Sequence, residues 1–82
     1  MAGKSILAAF GQVVREARQA NRLSQEQLAL GAGLNRNYVM DIEAGRRKPS
    51  IITIFALARG LGVSPTQLIA HTERLTRQSG GR

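Results

Sequence analysis

Apolar residues recur every three to four positions along most of the chain, and no segment alternates apolar with polar residues for long. The pattern predicts an all-α protein of five helices. The first runs from about Ser5 to Asn21, with Ile6, Phe10, Val13, Val14 and Ala17 as its apolar stripe. The second lies in "LSQEQLALGAG", where Ser24 is the N-cap and Gln27 completes a capping box. Leu28 and Ala29 face inward, Ala29 being small enough for a helix to cross closely, and Gly33 supplies the left-handed stop. The third starts at Asn35 as cap, with Leu34 and Val39 as a hydrophobic staple, and ends at Gly45. Ser50 caps the fourth, lined by Ile51, Ile54, Phe55, Ala58 and Leu61 and closed by Gly62. The fifth opens on Ser64, Pro65 and Gln67, with Val63 and Leu68 as a second staple. It is expected to reach about Glu73 and to fray toward Arg77. The tail "RQSGGR" reads as disordered, so one domain spans 1–77, with no internal repeat.

Length changes this picture little. An 82-residue chain holds one small domain, which buries only about 60% of its unfolded surface. Self-association is the expected support, because the chain has no cysteine and a single histidine, His71. Those two counts also argue against disulfides, metal centres and imidazole sites. Charge changes more. Twelve Lys and Arg against five Asp and Glu give a net charge of +7 and a pI near 11.6, which points to a polyanionic partner, nucleic acid before anionic membrane. No apolar run approaches the roughly 20 residues of a membrane span. The N-terminal "MAGKSILAAFGQVV" continues at helical spacing into "REARQANR" without a convincing cleavage site, so the chain is expected to be intact and cytoplasmic.

Two short helices joined by a glycine-containing turn, the second with an apolar back (Val39, Ile42) and a polar front, fit a helix-turn-helix over about 24–45. The stretch "LSQEQLALGAGLNRNYVMDIEAGRRKPSIITIFALARGLGVSPTQL" goes further. It resembles the helix-turn-helix family of the phage Cro and lambda-type repressors, also called the XRE family. The matching features are Ser-Gln opening the second helix, Leu-Ala within it, Gly33, Ile42-Glu43 before Gly45, "KPS" and "LGVSPTQL". "NRNYVMDIEAGRRKPS" also looks like the controller proteins of restriction–modification systems. The resemblance implies a compact lambda-repressor-like bundle of five helices, dimeric, that binds double-stranded operator DNA.

A recognition helix needs an apolar back and hydrogen-bonding side chains near its N-terminus, because the major groove presents a distinct donor and acceptor pattern for each base pair. Residues 35–44 meet that need, and the resemblance places Asn35, Arg36, Asn37, Met40 and Asp41 toward the bases. Arg36 suits guanine O6 and N7, Asn37 suits adenine N6 and N7, and Met40 suits a thymine methyl. Asp41 has two readings, accepting from cytosine N4 or orienting an arginine. Asn35 is equally a helix cap. Phosphate contacts are expected from Gln25 at the start of the second helix, from the Tyr38 hydroxyl with its ring packed inward, and from Arg46, Arg47 and Lys48. The resemblance further implies a structural ion pair between Arg18 and Glu43. The expected dimer interface is the fifth helix with the adjoining ends of the fourth, its candidates the apolar Leu68, Ile69 and Leu75 near the C-terminus, with His71.

Gly3-Lys4-Ser5 is only a piece of a phosphate-binding loop, lacking its glycine spacing and strand. Nothing in the sequence sets out a nucleophile, metal set or catalytic carboxylate pair, so no enzyme, cofactor or small-molecule ligand is expected. The reading is a sequence-specific transcriptional regulator that binds a roughly palindromic operator as a homodimer. The alternatives are the antitoxin half of a toxin–antitoxin pair, with a toxin-contacting tail, and a sequence-indifferent basic binder.

Overall fold

The computed structural model describes residues 3–80, in which five helices follow one another: α1 (Gly3–Ala20), α2 (Gln25–Ala32), α3 (Arg36–Glu43), α4 (Ile51–Leu61) and α5 (Pro65–Gly80). There is no strand among the described residues. The starts follow the capping signals closely. Ser24 accepts from Gln27 N while its own amide donates to Gln27 Oε1, and Ser64 and Gln67 repeat the arrangement. Asn35 Oδ1 accepts from Tyr38 N at 2.8 Å, and Ser50 Oγ accepts from Thr53 N at 3.1 Å. Each such bond satisfies a backbone amide that the first turn of a helix leaves without a partner.

The turn between α2 and α3 is only three residues long because Gly33 takes φ +70°. Leu34 N then reaches back to Ala29 O at 2.8 Å, the six-to-one bond of a glycine-terminated helix. The core gathers Phe10, Val13 and Val14 from α1, Leu28 and Ala29 from α2, Val39 and Ile42 from α3, Leu57, Ala58 and Leu61 from α4, and Leu68 from α5. Neither α2 nor α3, at eight residues each, is long enough to persist alone in water, so both depend on this packing.

Two close approaches set how α3 sits. A Cβ on Gly11 would lie 2.5 Å from Ile42 O and 2.6 Å from Glu43 O, so the backbone of α1 rests directly on the last turn of α3. One turn of α1 earlier, Gly45 (φ +75°) would place a Cβ 3.2 Å from Ala8 Cα. Glycine at 45 thus meets both a backbone and a space requirement.

Several expectations shift. Ile6 is 44% exposed; the buried stripe of α1 starts at Ala9 and Phe10, after the point where the Gly45 turn meets the helix. On α4 the buried face is Thr53, Leu57, Ala58 and Leu61, while Ile51 and Phe55 are 70% and 56% exposed and Ile54 is half-buried. This helix is apolar nearly all round, so periodicity alone left its rotation open, and packing against α2, where Gly60 seats on Leu28 and Ala32, chose it. Leu68, expected at a dimer surface, is 1% exposed and belongs to the core, because the staple with Val63 turns it inward. Leu75 packs against the same core. The fifth helix carries on to Gly80, beyond the end expected near Glu73 to Arg77, supported by an Arg77–Glu73 pair at 3.0 Å. Gly81 and Arg82, the end of the expected disordered tail, lie outside the described residues.

The α1–α3 contact makes a direct prediction. Gly11→Ala is expected to destabilise the fold by about 1–3 kcal/mol, because the added methyl meets backbone that cannot rotate away. Urea unfolding of the variant and the parent checks it.

Candidate nucleic-acid interface

The interface is built outward from one buried carboxylate. Glu43 ends α3, with its side chain 1% exposed. Arg18 of α1 grips it from the side, Nε donating to Oε2 at 2.6 Å and Nη2 to Oε1 at 3.1 Å, while Nη1 donates to Leu23 O at 2.8 Å. Gln25 Nε2 donates to the same Oε1 at 3.1 Å. Arg15, one turn before Arg18, brings its Nε to 3.7 Å. The hydrogen bonds to Glu43 raise the Arg18 pKa above its ordinary value, against the opposing effect of burial. The ion pair implied by the resemblance is present, and it joins α1, the α2 entry and α3 at one point.

Above this anchor, α3 turns Val39 and Ile42 into the core and leaves Asn35, Arg36 and Asn37 exposed, with Met40 and Asp41 partly so. Arg36 and Asn37 occupy the first two helical positions, where a helix end-on to a groove presents its side chains. Asn35 spends its side-chain oxygen on the cap. Gln25 is half-buried at the mouth of α2 with one amide hydrogen committed to Glu43, which aims the side chain rather than leaving it loose.

Tyr38 has a partner that the sequence did not indicate. Its ring packs against the core as expected, but its hydroxyl lies 3.3 Å from Thr53 Oγ1, itself 3.2 Å from Ser50 Oγ. The hydroxyl thus has a partner on α4, the buried Thr53. The same ring carries the guanidinium of Arg47 at 4.7 Å from its centroid, a cation–π contact. Arg46 folds back on Asp41, Nη2 to Oδ1 at 2.9 Å, and Lys48 stands exposed. The structure thus brings Arg36, Asn37, Arg46, Arg47 and Lys48 onto or beside α3. It does not bring Ile69 or His71 there; both lie exposed on α5.

Sequence reasoning missed three contributors. Arg15 was legible only through its three-residue spacing from Arg18, which puts both on one helix face. Thr53 and Ser50 carried no signal beyond the cap, since their link to Tyr38 exists only once α3 and α4 pack.

Removing one member of the buried pair is the sharp test of the anchor. Arg18→Ala leaves the Glu43 carboxylate buried without its guanidinium, and the expected loss is about 3–5 kcal/mol of stability, read by denaturant or thermal unfolding.

Comparison with known proteins agrees with this geometry. The helix-turn-helix family profile matches residues 14–68. The control protein C.BamHI of Bacillus amyloliquefaciens is 42% identical over 64 residues, which cover 77% of this chain and 79% of that protein. The control protein C.SmaI of Serratia marcescens is 41% identical over 66 residues, covering 80% and 75%. Among solved structures, the restriction-modification controller protein C.AhdI of Aeromonas hydrophila superposes with a TM-score of 0.80 at 43% identity, covering 83% of this chain and 99% of its own. Fold, anchor and sequence similarity together place the chain in the helix-turn-helix family of Cro and lambda-repressor type, with α2 and α3 as its helix-turn-helix.

Proposed function

We propose that the protein is a sequence-specific DNA-binding transcriptional regulator that works in the cytoplasm as a homodimer on a roughly palindromic operator. The observation that carries the reading is α3 itself. Its back is fixed by Val39, Ile42 and the Glu43 anchor, while Arg36 and Asn37 project from its first turn. Both of those side chains stand exposed, outside the packing of the protomer. Arg36 suits a guanine and Asn37 an adenine, with Met40 beside them for a thymine methyl. Lys48, with Arg47 and Gln25, supplies the backbone contacts that set register without reading sequence. Similarity to proteins named as controllers and repressors favours this reading over a toxin-binding role.

The dimer surface that fits the exposed apolar residues lies where α4 and α5 meet. Ile51, Phe55 and Ile69 stand 70%, 56% and 48% exposed, and they line a shallow groove with Ile54, Pro65 and Thr66. A patch of this kind is costly to leave in water, and a second copy of the chain offers the same patch across a two-fold axis. That axis would set the two α3 helices about 34 Å apart, one helical turn of DNA. Ile69 is kept from the expected interface, and Ile51 and Phe55 take the place of Leu68.

Selection of the protein on random duplex DNA tests the reading, with an inverted repeat of half-sites about one helical turn apart as the expected result. Recovery of no motif would sink it. Two variants then separate the roles. Arg36→Ala is expected to cost about 1–3 kcal/mol on the selected site and to relax one base position. Lys48→Ala is expected to weaken all sequences alike and to reduce the salt slope by about one. For the dimer, Phe55→Glu is expected to weaken self-association by at least about tenfold, the equivalent of losing one buried aromatic, as read by sedimentation equilibrium.

A further inference from the structure

The charges that follow α3 are not a simple basic run. Asp41 Oδ1 accepts from Arg46 Nε at 3.2 Å and from Nη2 at 2.9 Å. Its other oxygen lies 3.8 Å from Arg47 Nε. Asp41 is one turn after Asn37, so its carboxylate stands on the same side of α3 as a proposed base-reading residue. The sequence left two roles open for this residue, a base acceptor or an arginine holder. The geometry favours the second, since one oxygen is used twice by Arg46 and the other faces Arg47.

A carboxylate at this place works against polyanion binding in two ways. It repels phosphates, and it competes with them for Arg46. The effect is uneven between DNA sequences. On random duplex no base contact fixes the register, so phosphates meet Arg46 in varied orientations and engaging them means breaking its bonds to Asp41. On the preferred site, base contacts from α3 add to the total. There Arg46 also arrives already oriented, with much of its rotamer freedom given up in the folded protein.

We propose that Asp41 is a specificity-determining residue: by holding Arg46 and partly neutralising Arg47, it suppresses binding to random DNA and reads no base itself. The inference rests on the DNA-binding reading above and adds to it a residue whose task is to lower unwanted affinity.

Asp41→Asn keeps the shape of the side chain and removes its charge, at a position with a side chain 34% exposed, so the fold is expected to stand. Affinity is measured across a salt series for the selected operator and for random duplex of equal length. For random duplex, affinity is expected to rise about three- to tenfold, with the log–log salt slope steeper by about 0.9 for each additional phosphate neutralised. Operator affinity is expected to change by less than about twofold, and a repeated selection to return the same bases, so the ratio of specific to random binding falls. In an Arg46→Ala background the Asp41→Asn effect is expected to shrink to under about twofold, because the two residues act as one unit.

A lost preference at one base position in Asp41→Asn would overturn the inference in favour of base reading. Unchanged affinity and slope on random duplex would overturn it as well, leaving the ion pair without influence. A full effect persisting without Arg46 would show charge removal alone and refute the holding role. If the parent protein selects an inverted repeat while Asp41→Asn behaves identically, only this inference fails. If the parent binds no duplex at all, the DNA-binding reading fails with it.

Discussion

A carboxylate almost wholly removed from water needs charged and hydrogen-bonding partners, and the placement of Glu43 at the end of α3 makes every neighbouring element answer to it. Arg18 reaches it from α1 with two nitrogens and spends the third on Leu23 O, while Gln25 reaches it from the first turn of α2. Three helices, α1, α2 and α3, are thereby held at one functional group. Buried pairs of this kind add little net stability over apolar packing of similar size, and their value lies in the arrangement they enforce. Here the arrangement is the angle and depth of the helix that carries Arg36 and Asn37.

Around that point the chain leaves almost no slack. The backbone of α1 touches the last turn of α3 at Gly11, and the Gly45 turn presses on Ala8. With eight residues, α3 has no stability of its own to contribute. It is helical because a cap starts it, Val39 and Ile42 are buried, and the carboxylate at its end is gripped. Its polar front therefore costs the fold nothing, which leaves those side chains available for a groove. The same economy places Gln25, pinned by the anchor, at the open N-terminus of α2.

The fourth helix has two duties. Its buried Thr53 receives the Tyr38 hydroxyl from α3, while Ile51 and Phe55 on its outer side form the apolar groove with Ile69 of α5. A helix apolar on nearly all sides is suited to this, since one side serves the protomer and another stays exposed for the proposed second copy. The recognition helix and the proposed dimer surface thus share one rigid element, so the geometry of one constrains that of the other.

The sequence by itself determined where α2 to α5 begin and where α2 and α4 end, because capping residues, staples and left-handed glycines act over a few positions. Ser24 with Gln27, Asn35, Ser50, Ser64 with Gln67, and Gly33 and Gly62 all carry that local information. It also determined the helix-turn-helix and the exposed front of α3, since an apolar back of two residues on so short a helix permits only one orientation. What only the tertiary structure decided is everything that needs two elements at once. The rotation of α4 was open to several apolar stripes and was chosen by packing on α2. Whether Leu68 lay inside or outside, that the Tyr38 hydroxyl meets Thr53, and that Asp41 pairs with Arg46 were likewise undecided. Each depends on a partner distant in the chain or on the path of a loop, and neither is written into periodicity, which records how residues share a face but not what that face will meet.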